Sequence, residues 1–244
     1  MQYLEENTIF HLTHYKAGSR WIHRILKRCV ADRLLPIQAD RAELLSQPIE
    51  PGRVYSACYA SRSEFEALDI PPDSKRFFII RDMRDTTVSA YFSLKISHVR
   101  KDDAEINPLR DRLADTELEQ GLLMILDDWM PLSAEIQSSW LEVGEPFIRY
   151  EDLLSDDTGI LERALIDQCE LGIPRETLRE AIDFVSFERL SGGRKRGDEN
   201  LADHYRKGIA GDWENHFTEP VKDAFKERFG ELLIATGYES DNDW

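Results

Sequence analysis

The stretch Thr8 to Leu26 constrains the fold more than any other. A short apolar, β-branched run, Ile9 to Thr13, is followed by a turn, Tyr15 to Ser19. Trp21, Ile22, Ile25, Leu26 and Val30 then recur at helical spacing. The pattern predicts a strand, a tight turn and a helix. The first N–H groups of a helix have no internal acceptor and sit at the positive end of its dipole. Gly18 allows close backbone approach to a phosphate, and Lys16 adds a full charge. An ordinary βα turn with a surface lysine is the plain alternative, since a lone K-x-G is common. In the ATP/GTP P-loop the lysine follows the second glycine. Here Lys16 precedes Gly18 with no glycine upstream in the turn, which argues against an ATP-type P-loop.

With 244 residues, the chain is expected to form one α/β domain, 1–244, able to bury a core without metals or disulfides. A net charge of −16 argues against nucleic acid or an anionic membrane as main partner, because both need a basic face. An anionic ligand must then be held by a local basic cluster. Cys29, Cys58 and Cys169 lack the spacing of a disulfide framework or a zinc site. No apolar run reaches the roughly 20 residues of a membrane span. Met1 to Glu6 lacks the features of a signal peptide, so a cytoplasmic location is expected.

Further along, Arg53 to Tyr59 reads as a second strand and Ser61 to Leu68 as a short helix. A short helix is also expected at Arg41 to Leu45. Arg76 to Ile80 is a continuous apolar run suited to a central parallel strand. It leads into a helix, with Asp85 as a possible cap, running to about His98. Lys101 to Asp115 is expected to be a solvated loop. Helical periodicity covers Glu117 to Trp140 with a break at Pro131. Pro146 to Tyr150 is a further short strand, followed by helices at Thr158 to Leu171, Arg175 to Phe184 and Val221 to Leu233. Ser191 to Gly211 is rich in glycine and carries Arg194, Lys195, Arg196, Arg206 and Lys207. Charge runs are usually solvated surface, but in so acidic a chain this one is a candidate mobile lid over an anion.

Three separated stretches resemble one family, the sulfotransferases that use 3′-phosphoadenosine 5′-phosphosulfate (PAPS). Thr13-His-Tyr-Lys-Ala-Gly-Ser-Arg-Trp21 resembles their 5′-phosphosulfate loop, T-Y-P-K-S-G-T-T-W. Arg81 and Ser89, after an apolar strand, resemble their 3′-phosphate motif. Arg206 to Thr218 is similar to their R-K-G-x-x-G-D-W-K-N-x-F-T signature. The resemblance implies an α/β fold: a central parallel sheet flanked by helices on both faces, with a P-loop-like strand–loop–helix for the 5′-phosphosulfate. It implies that Lys16, Ala17, Gly18, Ser19 and Arg20 hold the 5′-phosphate, and that Trp21 stacks near adenine unless it is a core residue. Arg81, Ser89, Arg206, Lys207 and Gly208 would bind the 3′-phosphate. Tyr150, Ser186 and Phe187 would contact the nucleoside. PAPS would be the co-substrate, with no metal, and a small hydroxylated molecule, lipid or glycoside the acceptor.

The same resemblance implies a general base for the acceptor proton. Where many members have histidine, this chain offers Cys58 or Tyr59. His98 is the first candidate and Glu43 the second, so the expected catalytic set is Lys16, His98 and Glu43. Asp40, His14 and His23 are further options. Two other classes stay open: a non-catalytic binder of 3′-phosphoadenosine 5′-phosphate (PAP), and a nucleotide kinase on a related sheet. The family's short dimer signature is not matched, and the oligomeric state is open.

Overall fold

In the computed structural model of the chain, which describes residues 6–37, 41–97 and 106–244, the opening stretch forms strand β1 (Ile9–Thr13) and helix α1 (Ser19–Cys29). The chain continues through α2 (Arg41–Ser46), β2 (Val54–Cys58), α3 (Arg62–Glu66), β3 (Lys75–Ile80) and α4 (Met83–Phe92). A π-helical turn (Ser93–Ser97) follows, then α5 (Asn107–Ala114), α6 (Leu118–Asp128), α7 (Met130–Leu141), β4 (Phe147–Arg149) and α8 (Tyr150–Leu161). A second π-helical stretch (Glu162–Gln168), α9 (Arg175–Phe184), α10 (Phe187–Leu190), a 3₁₀ turn (Asp212–Asn215) and α11 (Glu219–Ala235) complete it.

The chain divides into two compact units: residues up to 81 with 135–186, and residues 82–134 with 187–244. The first unit holds the sheet, which is wholly parallel with strand order β2-β1-β3-β4. This is the expected fold class. Strands buried on both faces read as continuous apolar runs, and β1 and β2 are buried throughout. On one face Phe10 stacks on Tyr55 and meets Phe65 of α3 edge-on, while Trp140 of α7 packs on Phe65 and Phe78. On the other face His11 stacks on Phe77, and α1 packs against β2 and α9. Ser61 and Glu64 close a reciprocal capping box at the start of α3.

The second unit is helical. Val88, Tyr91, Leu122, Ile125, Phe217, Val221, Phe225 and Leu233 belong to one buried cluster formed by α4, α6, α11 and their neighbours. Leu109 and Leu113 of α5 join it. The stretch predicted as a solvated loop is therefore partly an amphipathic helix, because its two leucines at helical spacing outweigh its charge. Residues 98–105 of that stretch lie outside the described residues.

The helix expected to run to about His98 is met by α4 and the π-helical turn that continues it directly to Ser97, the last described residue before 98. Two boundaries differ from the sequence reading. The break between α6 and α7 falls at Trp129, and Pro131 sits in the first turn of α7, where a missing N–H costs nothing. Helix α8 begins at Tyr150, so Glu151 and Asp152 lie in its first turn, the end that favours acidic side chains.

Candidate functional site

In the first unit, the loop after β1 follows the local rules of a tight turn. Lys16 and Gly18 both adopt positive φ, 68° and 84°, and Gly18 is the N-terminal cap of α1. A Cβ on Gly18 would come within 2.9 Å of the Tyr150 ring, so the residue has neither the backbone freedom nor the space to be anything larger. No side chain caps α1, and its first turn holds no acidic residue. The N–H groups of Ser19 and Arg20 precede the helix's own hydrogen bonding and present its positive end. Ser19 is buried and Arg20 exposed, while Ala17 is fully buried in the core.

The ends of β1 and β3 are fastened to each other here. His14 is fully buried, with Nδ1 3.0 Å from the Tyr15 carbonyl oxygen and Nε2 3.1 Å from the Arg81 backbone nitrogen. A carbonyl only accepts and a backbone N–H only donates, so the ring carries its proton on Nδ1 and accepts at Nε2. Burial lowers its pKa to about 4; the Tyr15 carbonyl opposes that shift, and the Arg81 charge adds to it. Arg81 also donates from Nη1 to the Lys16 carbonyl oxygen at 3.1 Å, and its guanidinium lies 4.6 Å from the Tyr150 ring centre. Trp21 meets Tyr150 edge-on at 6.3 Å, and its buried indole N–H has no hydrogen-bond acceptor among the described residues. Lys16, Gly18, Trp21, Arg81 and Tyr150 are thus brought together. Among the described groups the donors are a lysine, a guanidinium, an indole and a helix N-terminus, a set suited to a phosphate ester.

The candidate bases fare differently. Both nitrogens of His14 are committed, which removes it. His23 is half-buried, and burial lowers its pKa, with the charges of Lys27 and Arg24 adding to the effect. Burial pushes the Cys58 thiol far up, which leaves it neutral. Tyr59 is stacked on Tyr15 at 4.1 Å, and its hydroxyl lies 2.7 Å from Ser19 Oγ. Burial raises the Tyr59 pKa as well, so the phenol stays protonated and is tied to Ser19 at the start of α1. Neither residue at the family's usual histidine position is set up as a base. His98 and Asp40 lie outside the described residues, as does the side chain of Glu43 in α2.

The second unit carries the other basic residues. Asp212, buried in the 3₁₀ turn, gathers Arg206, Lys207 (2.5 Å), Asn215 (3.1 Å) and His216 (3.2 Å). Burial acts to raise its pKa, but the hydrogen bonds from His216, Lys207 and Arg206 outweigh it and hold the carboxyl well below the usual range. Arg206 also pairs with Glu199, and its guanidinium lies 4.6 Å from the Phe92 ring centre at the end of α4. Gly208 has φ 68°, and a Cβ there would meet the Phe187 ring at 2.5 Å. Phe187 and Gly208 therefore pack directly, while Ser186 belongs to the first unit. Ser89 is half-buried on α4. Glu199, Asp212 and His216 have ligand atoms within 4.8 Å of one another, but the cations of Arg206 and Lys207 already sit on the Asp212 carboxylate.

The glycine-rich segment is better ordered than its composition suggests. Arg194, one of the basic residues of the candidate lid segment, donates to the carbonyls of Asp198 (2.8 Å), Tyr205 (2.7 Å) and Arg206 (2.9 Å) and to the Asp203 carboxylate (2.7 Å). Sequence reasoning missed this brace, the strand-joining role of His14 (which it offered only as a candidate base) and Asp212, because each works through a partner that the local sequence does not reveal.

A wholly parallel sheet with Lys16 and Arg81 beyond the carboxyl ends of β1 and β3 places this chain among the open-sheet α/β proteins, whose ligands sit at that edge. The particular class follows from comparison: the Sulfotransferase domain family matches residues 69–237, and the chain belongs to that family. Sulfotransferase 2B1 of Mus musculus is 26% identical over 263 residues, spanning 94% of this chain and 72% of that protein. Among solved structures, mouse sulfotransferase SULT7A1 complexed with PAP superposes with a TM-score of 0.65 at 19% identity, covering 95% of this chain and 88% of the other. Retinol dehydratase in complex with androsterone and PAP gives 0.56 at 14% identity, covering 93% and 80%. At these identities the structural likeness concerns the fold. Among the described residues no helix is long and apolar enough to cross a membrane.

Proposed function

We propose that this chain is a PAPS-dependent sulfotransferase acting on a hydroxyl or amine of a small acceptor, and that its two units serve one catalytic domain. The single observation that carries this is the cluster of Lys16, Gly18, Arg81 and Tyr150 at the start of α1, inside a chain of the sulfotransferase family. The family match runs through residues of both units, which supports treating them as one functional domain.

When bound, PAPS supplies a transferable sulfuryl group and a phosphate that leaves as an anion. Lys16 and the N-terminus of α1 place positive charge where negative charge builds on the leaving oxygen. Such stabilisation acts chiefly in the transition state. Ser19, Arg20 and the N–H groups around Gly18 hold the 5′-phosphate. Arg81, Ser89, Arg206, Lys207 and Gly208 hold the 3′-phosphate, and Trp21, Tyr150, Ser186 and Phe187 contact the nucleoside. His98 takes the acceptor proton, with Glu43 as the alternative. The engagement of His14 and Tyr59 in structural hydrogen bonds supports looking beyond them.

The test pairs binding with turnover. PAP is expected to raise the melting temperature while ATP with magnesium does not, and labelled sulfate is expected to pass from PAPS to a member of a panel of phenols, steroids and amines. Stabilisation by PAP without transfer to any acceptor would favour a non-catalytic binder, and stabilisation by ATP with magnesium alone would favour a kinase. Loss of turnover in H98A but not in E43Q is the expected split for the base.

A further inference from the structure

Sequence pattern suggests Asp85 as the cap of α4, but that task falls to Asp82, whose carboxylate accepts from the Arg84 N–H at 2.8 Å. Asp85 lies in the first turn of the helix and is only 1% exposed. Its two carboxylate oxygens accept from the backbone N–H groups of Gly211 (2.8 Å) and Trp213 (3.0 Å), more than a hundred residues away in sequence. A buried carboxylate is costly unless it is hydrogen-bonded, so this pairing fixes the backbone of residues 211–213 against α4. Arg84 grips the same place from the side, its guanidinium 4.0 Å from the Trp213 ring centre and 4.5 Å from that of Trp244.

The segment 206–213 therefore touches α4 at both ends. Arg206 meets Phe92 at the C-terminal end, and Gly211 and Trp213 meet Asp85 at the N-terminal end. Ser89 lies between these two points on the helix, one turn beyond Asp85 and on the same side, since residues four apart share a face. Between the two backbone groups held by Asp85 stands Asp212, whose carboxylate orients Arg206 and Lys207. Charge-assisted contacts of this kind need fixed donors to be selective.

We propose that Asp85 is the positioning residue of the 3′-phosphate site: it registers the Arg206–Gly208 segment against Ser89 so that the guanidinium, the ammonium and the hydroxyl act on one phosphate. The proposal rests on the nucleotide reading above. It goes further in assigning discrimination between 3′-phosphorylated and unphosphorylated adenosine nucleotides to a residue that need not touch either.

The test compares PAP with 5′-AMP, which differs by the 3′-phosphate alone, by calorimetry on wild type and D85N. The wild type is expected to prefer PAP by at least about a hundredfold, in line with several charge-assisted contacts. In D85N that preference should fall at least tenfold while 5′-AMP affinity stays within about twofold, a split that general destabilisation does not produce. A folded D85N that keeps the full preference overturns the inference and leaves the nucleotide reading intact. A wild type with no preference for PAP overturns both. Should D85N fail to fold, amide exchange on the wild-type protein decides. The Gly211 and Trp213 amides are expected to exchange as slowly as those inside α4, and fast, independent exchange there overturns the inference.

Discussion

Acid should weaken this protein well above the pH at which carboxylates titrate, and two buried histidines set the size of the effect. His14 is held neutral by burial with a pKa of about 4, and His11 by burial and the charge of His23 at about 3, against 6.5 unfolded. His11 accepts the Ala57 N–H at Nδ1 (3.3 Å), so its one proton sits on Nε2, and a second proton on Nδ1 would break that bond inside a buried site. Because both folded pKa values are depressed, the unfolded chain binds more protons between about pH 4 and 6.5, and stability falls as pH falls through that window. Full protonation would cost about 3 kcal/mol for His14 and about 5 kcal/mol for His11, at about 1.4 kcal/mol per pKa unit. By pH 5 each has lost about 2 kcal/mol relative to pH 7, or about 4 kcal/mol together, a large part of a typical domain's 5–15 kcal/mol. Urea unfolding between pH 7.5 and 5 measures this directly. H14N should remove a large share of the dependence and H11N/H14N most of it, with His23, whose pKa burial also lowers, supplying a remainder. A wild-type stability that is flat over this range, or variants that keep the full slope, would refute the assignment of buried, neutral rings.

K16A is expected to lower turnover by at least a hundredfold, because one donor aimed at developing charge is worth about that much; a near wild-type rate in single-turnover assays would contradict its role. G18A should cost about 1–3 kcal/mol of stability from the positive φ alone and weaken PAP binding further, since the new methyl meets Tyr150. Calorimetric PAP binding and melting unchanged from wild type would count against the cradle. For R206A the dissociation constant of PAP should rise about tenfold or more with 5′-AMP binding little changed; equal losses for both ligands would move Arg206 away from the 3′-phosphate. Y59F should keep the shape of the pH–rate profile, since the phenol is tied to Ser19 rather than titrating, and loss of a profile limb would make Tyr59 the base after all.

Sequence by itself determined the local grammar of the protein. The run Ile9–Thr13, the Lys16–Gly18 turn and the periodic residues from Trp21 onward specify strand, loop and helix, because side-chain period and glycine's backbone freedom are properties of a few consecutive residues. The same holds for β2, β3, α9 and α11, and for the Arg206 to Thr218 stretch, whose residue types alone carry the family likeness. What tertiary structure decided was which charges are spoken for. Nothing local distinguishes Arg194, spent on bracing its own loop, from Arg206, set over Phe92. Nor does the sequence reveal that His14 joins β1 to β3, that Asp82 rather than Asp85 caps α4, or that Asp85 holds a backbone far along the chain. A buried polar group must be paired somewhere, and its partner comes from whichever segment the fold brings within about 3 Å. Local pattern therefore places the functional groups on their elements, and only packing fixes which partner each one takes.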